Sequence, residues 1–438
     1  MDNKKYYIIG GVLALLLILA GVLFFTTGSK SPGTNTNGKI ELVWWKTFED
    51  TNNIQDFITD YQKLHKNVSI TYVKKDVSTY ENELVDSLAA GKGPDIFSIH
   101  NDWLPKHIDK LSPEPSNLMS VRTYSDTFVD VASSDFIKDS KIYALPLSVD
   151  LLGLYYNKDI LGSVGIAQPP TTWPELVSDV EKITKVSNPG AFSRSGVAMG
   201  TSSNINRSVD ILSLLMLQNG TKFYSDDLNT ATFDQSQNDP TTNQSINPGA
   251  IALQFYTQFA DPAKASYTWN TKSDASVDAF TQGKLGMMIS YQYMQPTIKA
   301  RGPNLNWGLA AIPQTSTDAT KVNFANYWGE GVSKQSKKAA VAWNFLNFIS
   351  SKTELQKYYA KHKQVSSRKD ILPTQISDTE IGSFAENALT AKSVYKNDAN
   401  IFESVFGKMI DDVILRNFKP ENAIQNAAQQ INLNLQKK

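Results

Sequence analysis

The chain has 438 residues, of which 43 are basic and 43 acidic, so its formal net charge is zero. This length is too great for one ordinary hydrophobic core and fits two lobes with additional segments. The balanced charge, with no polybasic block, argues against nucleic acid as a partner. The absence of cysteine excludes disulfides, thiolate metal sites, a cysteine nucleophile and an N-terminal lipid-modified cysteine.

The N-terminus contains an uncharged apolar run, Tyr6–Phe25, with the sequence YYIIGGVLALLLILAGVLFF. A helix of about 20 apolar residues is long enough to cross the hydrocarbon core of a bilayer. Lys4 and Lys5 precede the run, so the positive-inside rule places Met1 in the cytoplasm. A cleaved signal peptide has a shorter apolar core and a small-residue cleavage site, so the pattern favours an uncleaved anchor.

This pattern predicts a single-pass protein of the cell membrane, with the bulk of the chain on the extracellular (or periplasmic) side. The residues after the anchor are rich in Gly, Ser, Thr and Asn and contain nothing to bury, which is typical of a flexible linker. The predicted N-terminal segments are a cytoplasmic end at 1–5, a transmembrane anchor at 6–26 and a linker at 27–38.

The next segment alternates between strand and helix patterns. The predicted elements are a strand at 39–45, a helix at 53–66, a strand at 68–73, a helix at 80–90 and a strand at 95–100. This β-α-β-α-β order predicts a parallel sheet flanked by helices. Ligands of such sheets bind beyond the carboxyl ends of the strands, which here are Trp44–Trp45 and the residues from His100 to Trp103.

The stretch Tyr143–Asp159, YALPLSVDLLGLYYNKD, is predicted to cross from one lobe to the other. It is an apolar strand interrupted by one carboxylate, Asp150, which we expect to face the gap between the lobes. Thr172 and Glu175 have the spacing of a capping box and predict the start of a new helix. A second candidate crossing is the apolar strand Trp307–Pro313.

No motif of a known catalytic class is present: there is no GxSxG, no GxGxxG and no HExxH. Nothing in the sequence supplies Asp150 with a second carboxylate for glycoside hydrolysis, so we expect it to accept hydrogen bonds from a ligand. Aromatic residues at strand ends and in loops predict stacking surfaces for sugar rings, of which we expect about half to reach ligand. These aromatic residues are Trp44, Trp45, Trp103, Tyr291, Tyr293, Tyr327 and Trp328.

Several short motifs, in order along residues 39–370, resemble the bacterial extracellular solute-binding proteins of ABC importers. The resemblance is to the sugar-type branch that includes maltose-binding protein. The matching motifs are GPDIF at 93–97, YALP at 143–146, LYYNKD at 154–159, PTTWPEL at 170–176, NG at 219–220, AFTQGK at 279–284 and GEGVS at 329–333.

The resemblance implies an α/β, two-lobe periplasmic-binding-protein-like (type II) fold with an interlobe hinge. It also implies that ligand is bound by residues at matching positions in the loops and crossings. The implied ligand-binding residues are Lys46, Thr47, Glu49, Asn101, Asp102, Trp103, Asp150, Tyr291, Tyr293, Tyr327, Trp328 and Gly329. The family's aromatic and arginine contacts on the C-terminal helices have no match that the sequence locates.

We therefore predict residues 39–147 and 308–330 as the first lobe, and residues 148–307 and 331–438 as the second. The expected function is capture of a mono- or oligosaccharide in the cleft and its delivery to an ABC permease, without cofactor or catalysis. Two alternatives stay open: a membrane-tethered glycoside-processing enzyme, and a ligand sensor without transport.

Overall fold

A computed structural model describes residues 38–188, 190–239 and 242–436. The predicted cytoplasmic end at 1–5, the predicted anchor at 6–26 and all but the last residue of the predicted linker lie outside these ranges. Within them, no helix is both long and apolar enough to cross a membrane. The described chain contains two main β-sheets with helices packed against each.

The first sheet contains six strands. They are, in order, Val68–Lys74, Ile40–Lys46, Ile96–His100, Trp328–Ser333 and Leu111–Ser112, with Leu145–Pro146 also paired to Trp328–Ser333. The first three are parallel, as the sequence predicts, and the helices Thr51–Leu64 and Tyr80–Ala89 connect them. Their carboxyl ends therefore meet at one edge of the sheet, beside Lys46 and His100.

Two helices from later in the chain pack with the first sheet and its helices. The helix Ala339–Ile349 contacts both Trp328–Ser333 and Thr51–Leu64, and the helix Lys352–His362 follows it. The Tyr61 hydroxyl donates a hydrogen bond of 2.8 Å to the amide oxygen of Asn344, which joins the helix Thr51–Leu64 to the helix Ala339–Ile349. Residues 328–349 thus pack with the first sheet, although the sequence assigns 331–438 to the second lobe.

The second sheet has five strands and mixed direction. Its order is Trp307–Ala310, Leu152–Asn157, Leu285–Tyr291, Ala191–Val197 and Lys185–Asn188. Leu152–Asn157 is antiparallel to both of its neighbours, whereas Ala191–Val197 is parallel to Leu285–Tyr291. The predicted lobe boundaries at 307/308 and 330/331 each fall within a single strand, so the chain does not change sheets at either point.

The remaining elements are short or helical. The other α-helices are Leu104–His107, Val121–Thr127, Asp130–Phe136, Lys158–Ser163, Trp173–Ile183, Ser208–Gln218, Pro248–Thr257, Ser276–Thr281, Gln295–Arg301, Leu372–Gln375, Gly382–Ala385, Ala399–Arg416 and Pro420–Leu435. The 3-10 helices are Ile108–Lys110, Gln258–Ala260, Gln292–Met294 and Ala388–Thr390. The two-residue strand pairs are Ile137–Lys138 with Lys141–Ile142, Gln237–Asn238 with Ser245–Ile246, and Asn323–Phe324 with Ala391–Lys392. The predicted capping box at Thr172 and Glu175 is confirmed in both of its hydrogen bonds.

Three segments run between the two sheets. The stretch containing Asp150 leaves the first sheet after Leu145–Pro146 and enters the second at Leu152–Asn157, as predicted. A second crossing lies in residues 323–327, because Trp328 begins a strand of the first sheet. The third lies in residues 363–381, between the helix Lys352–His362, which packs with the first sheet, and the helix Gly382–Ala385, which contacts two strands of the second sheet. The strand Ala391–Lys392 pairs in parallel with Asn323–Phe324, beside the second crossing. A hinge built from three adjacent segments limits the relative motion of the sheets.

Candidate functional site

Aromatic side chains form a wall at the carboxyl edge of the first sheet. The Trp328 ring lies edge-on to the rings of Trp103 and His100, each with ring centroids 5.1 Å from its own. Phe48 packs edge-on against Trp328 at 5.9 Å and remains 57% exposed. Because the strands of this sheet end here, the wall occupies the position where α/β proteins bind their ligands.

A buried ion pair lies under this wall. The Lys46 ammonium contacts Glu330 Oε1 at 2.7 Å and Glu49 Oε1 at 3.5 Å. Trp44 Nε1 and the Ser98 hydroxyl donate hydrogen bonds to Glu330 at 2.7 Å and 2.9 Å. Burial disfavours the charged ammonium, but Glu330 and Glu49 outweigh it and raise the pKa of Lys46. The hydrogen-bonding capacity of Lys46 is therefore largely used within the protein.

His100 is held between two acceptors at the end of its strand. Its Nδ1 contacts Asp102 Oδ1, and its Nε2 lies 2.7 Å from Asn326 Oδ1. Burial opposes the charge on the imidazole, yet the Asp102 carboxylate outweighs it and raises the pKa of His100. The same pairing lowers the pKa of Asp102, against the effect of its burial. The end of this strand thus carries a hydrogen-bonded imidazole–carboxylate pair.

Asn101 and Tyr327 form a second polar cluster around Asp135. The Tyr327 hydroxyl donates to Asp135 Oδ2 at 2.7 Å, and Asn101 Nδ2 donates to the same oxygen at 3.3 Å. The Ser393 hydroxyl donates to Asp135 Oδ1 at 2.5 Å. Burial raises the pKa of Asp135 to about 7, and these three donors act in the opposite direction. The cluster joins the second crossing and the neighbouring strand Ala391–Lys392 to the end of the first sheet.

Asp150 holds the backbone that follows the strand Leu285–Tyr291. Its Oδ1 accepts from the Gln292 N–H at 2.8 Å and from the Leu151 N–H at 2.9 Å, and its Oδ2 accepts from the Tyr293 N–H at 3.3 Å. Burial raises the pKa of Asp150 to about 7, while these N–H donors and Arg207 lower it. A cavity of about 350 Å³ lies beside it and is also lined by Tyr293.

Tyr291 and Tyr293 stack on each other, with ring centroids 5.9 Å apart and an interplanar angle of 23°. The guanidinium of Arg207 lies over both rings, 5.8 Å from the first centroid and 5.6 Å from the second. Its Nε donates to the Tyr293 hydroxyl at 3.0 Å. Tyr291 is buried, whereas Tyr293 is 46% exposed and offers an accessible aromatic surface.

Lys396 connects the two halves of this region. Its ammonium contacts Asp210 Oδ1 at 2.9 Å, and Asp210 Oδ2 accepts from the Tyr291 hydroxyl at 2.9 Å. Lys396 is also close enough to affect the pKa of His100 and of Asp102 at the end of the first sheet. Lys396 therefore lies between the tyrosines that follow the second sheet and the polar end of the first sheet.

The structure separates the sequence-predicted residues into two groups. Near the first sheet lie Lys46, Thr47, Glu49, Asn101, Asp102, Trp103, Tyr327, Trp328 and Gly329. Beside the second sheet lie Asp150, Tyr291 and Tyr293. Thr47 and Gly329 are buried, and a side chain at Gly329 would meet the Phe136 ring at 2.7 Å. Contact of each residue with a ligand stays a prediction.

Sequence reasoning did not select Phe48, Arg207, Asp210 or Lys396. Asp210 had a usable signal, since it is the one acidic residue in the apolar helix Ser208–Gln218. Asp150 was selected for the same reason, because it is a single acidic residue in an apolar stretch. Phe48, Arg207 and Lys396 stand in polar surroundings, and their proximity to the region depends on distant segments.

Comparison with known proteins identifies the family to which this chain belongs. The family model described as bacterial extracellular solute-binding protein matches residues 45–355. The chain belongs to this family. The family consists of binding proteins. The likeness to solved sugar-binding proteins shows a mixed α/β, two-domain periplasmic-binding-protein fold, which agrees with the two sheets and three crossings described above.

Relatives of this binding protein are similar over most of their length. The multiple sugar-binding protein of Streptococcus mutans is 25% identical over 311 residues, which cover 70% of this chain and 69% of the relative. The maltodextrin-binding protein MdxE of Bacillus subtilis is 24% identical over 362 residues, with coverages of 81% and 79%. The sugar-binding protein MalE of Xanthomonas citri has a TM-score of 0.76 at 20% identity, with coverages of 91% and 98%.

Proposed function

We propose that this binding protein captures a mono- or oligosaccharide between its two lobes and delivers it to an ABC permease. The observation that carries the proposal is the convergence of two aromatic surfaces and several polar groups on one interlobe space. The wall at Trp328 follows the first sheet, and the exposed ring of Tyr293 follows the second. Lys396 acts on both sides of the space.

A sugar suits this arrangement for chemical reasons. Aromatic rings stack on the C–H faces of pyranose rings, while carboxylates and amides bind the surrounding hydroxyls. The names of the relatives from Streptococcus mutans and Bacillus subtilis give sugars as their ligands, which supports the same class here. Asp102 and Glu49 supply acceptors near the wall, and Tyr293 supplies the opposing ring.

Binding across two lobes provides the signal for transport. A ligand that contacts both lobes stabilises the closed arrangement more than the open one and shifts the population toward it. The crossings at 147–151, 323–327 and 363–381 are where the backbone would bend as the two lobes close. A permease would then recognise the closed form.

We further propose that residues 6–26 anchor the protein in the cell membrane as a single helix, with the bulk of the chain outside. The support is the uncharged apolar run and the two lysines before it. The test is fractionation of cells that express the full chain or a variant lacking residues 1–37. The full chain should sediment with membranes and resist carbonate extraction; recovery of the full chain in the soluble fraction would disprove the anchor.

The binding function is tested with a panel of neutral and acidic mono- and oligosaccharides, each added to the purified full chain in detergent. A true ligand should raise the unfolding temperature and leave the solution chemically unchanged, as judged by chromatography of the sugar. A Trp328→Ala variant should lose most of the response, whereas Trp307→Ala, in the outer strand of the second sheet, should retain it. Release of a shorter sugar would instead favour the glycoside-processing alternative.

A further inference from the structure

Arg207 stands out among the cations that border the interlobe space. Lys46 contacts Glu330 at 2.7 Å, and Lys396 contacts Asp210 at 2.9 Å. Each of these ammonium groups thus has a carboxylate of the protein as its partner. Arg207 forms no ion pair with any carboxylate in the part of the chain that the structure describes, and its side chain is exposed.

Asp150 and Asp210, the two carboxylates whose pKa values Arg207 lowers, are already engaged by other donors. Asp210 binds the Lys396 ammonium through Oδ1 and the Tyr291 hydroxyl through Oδ2. Asp150 accepts three backbone N–H groups through its two oxygens. Both carboxylates affect Arg207 electrostatically, but neither accepts a hydrogen bond from its guanidinium.

The geometry of Arg207 leaves its outer nitrogens available. Its Nε donates to the Tyr293 hydroxyl at 3.0 Å, which orients the guanidinium plane. Nη1 and Nη2 have no acceptor among the described residues, and these two nitrogens form the fork that binds planar anions bidentately. The rings of Tyr291 and Tyr293 support the guanidinium from one side, at 5.8 Å and 5.6 Å.

The backbone at Arg207 adopts an unusual conformation directly before a helix. Arg207 has a φ of 62°, in the left-handed region that non-glycine residues seldom adopt, and it precedes the helix Ser208–Gln218. Helix N-termini favour negative charge nearby, because the first backbone N–H groups lack partners within the helix. The Arg207 guanidinium and the N-terminus of the helix that it precedes each favour a nearby anion.

We propose that the ligand is an anionic saccharide whose carboxylate is bound bidentately by Nη1 and Nη2 of Arg207, beside a sugar ring on Tyr293. This inference rests on the proposed saccharide-binding function and narrows it to sugar acids. The pairing is a charge-assisted hydrogen bond in a partly enclosed site, which contributes about tenfold or more to affinity.

The experiment compares matched pairs of ligands by isothermal titration of the full chain in detergent, at low and high salt. Each pair consists of an oligouronide and its neutral counterpart, for example galacturonate and galactose oligomers, and a sugar phosphate is the third probe. The acidic member of at least one pair should bind about tenfold tighter or better. The preference should weaken as salt rises, because the interaction is electrostatic.

Variants assign the preference to this side chain. Arg207→Gln should bring the acid-to-neutral affinity ratio close to one, and Arg207→Lys should keep part of the preference, because it keeps the charge and loses the fork. Arg122→Gln removes the same charge at an exposed site in the first lobe and should leave the ratio unchanged. Thermal melting of each variant without ligand shows that the fold is intact.

Each remaining outcome is decisive. A neutral saccharide that binds as tightly as its acid, or an acid preference that survives Arg207→Gln, overturns the inference and leaves the saccharide-binding function standing. A sugar phosphate that binds more tightly than every uronide overturns the carboxylate assignment. If none of the saccharides binds, both the inference and the proposed function fail.

Discussion

At the scale of single residues, Phe48 combines two unfavourable properties. Its φ is 62°, in a region that costs roughly 1–2 kcal/mol for a residue with a Cβ, and its ring is 57% exposed. Strain and exposed apolar surface in one residue are features of ligand-binding loops. Phe48 therefore joins the aromatic wall as a candidate contact, although the sequence pattern pointed to its neighbours Lys46, Thr47 and Glu49.

The strain at Phe48 predicts that a glycine variant is more stable than an alanine variant at this position. Phe48→Gly and Phe48→Ala remove the same ring contacts, but only glycine relaxes at this φ. We expect the glycine variant to have a free energy of unfolding about 1 kcal/mol higher than the alanine variant, measured by chemical denaturation. Both variants should bind ligand less tightly than the wild type. Equal stability of the two variants would show that the backbone here is unstrained.

Lys46 provides a second prediction at this scale. Lys46→Met leaves the buried Glu330 carboxylate without its cation, which should lower the free energy of unfolding by about 3–5 kcal/mol. The double variant Lys46→Met with Glu330→Gln should recover much of this loss, because the isolated charge is then gone. Lys39→Met, in the exposed pair with Glu41, is the control and should cost less than about 1 kcal/mol. Denaturation in guanidinium chloride measures all three.

At the scale of elements, Asp135 holds the second crossing against its neighbours. Its carboxyl group accepts from Tyr327 in the second crossing and from Ser393, which follows the strand Ala391–Lys392 beside that crossing. No cation contacts it among the described residues, so burial keeps its pKa at about 7. The hinge thus contains a carboxyl group that binds a proton near neutral pH.

This carboxyl group predicts a pH dependence with a definite sign. The pKa of Asp135 is raised above its ordinary value near 3.8, so the folded state holds more protons than the unfolded state between about pH 4 and 7. Its contribution to stability is therefore complete at low pH and is lost as the pH rises through 7. Asp135→Asn, which keeps an acceptor, should make the free energy of unfolding less dependent on pH.

The measurement is a series of denaturation curves between pH 4 and 8. Asp150 and Glu114 also have pKa values raised to about 7 by burial, so some slope should remain in Asp135→Asn. Asp126→Asn removes an exposed carboxylate from the helix Val121–Thr127 and should leave the slope as it is in the wild type. An unchanged slope in Asp135→Asn would mean that its carboxyl group titrates normally in solution.

At the scale of the whole molecule, two sheets joined by three crossings predict closure on binding. A saccharide at 100 times its Kd should raise the free energy of unfolding by about 2.7 kcal/mol, because it binds only the folded chain. Small-angle scattering should show a smaller radius of gyration with ligand than without it. The Trp328→Ala variant should show neither change at the same concentration. A thermal shift without a smaller radius of gyration would show that the ligand binds but that the lobes do not close.

Local patterns in the sequence determined much of the fold. The alternation of strands and helices over residues 39–100 predicted the parallel part of the first sheet, because side-chain periodicity is a local property. The capping box at Thr172 was predicted for the same reason. The single acid in the apolar stretch around Asp150 marked the first crossing, since a buried carboxylate must be held by hydrogen bonds.

Only the tertiary structure decided which distant segments share the interlobe space. The second crossing was expected at Trp307–Pro313, but Trp307–Ala310 is an apolar edge strand of the second sheet, and the chain crosses only at 323–327. Lys396 and Arg207 are polar residues in polar stretches, and nothing local distinguishes them from solvated side chains. They become site residues because the fold brings together segments that lie 86 residues apart for Arg207 and Tyr293 and 186 residues apart for Lys396 and Asp210. Sequence periodicity carries no information about such distant contacts.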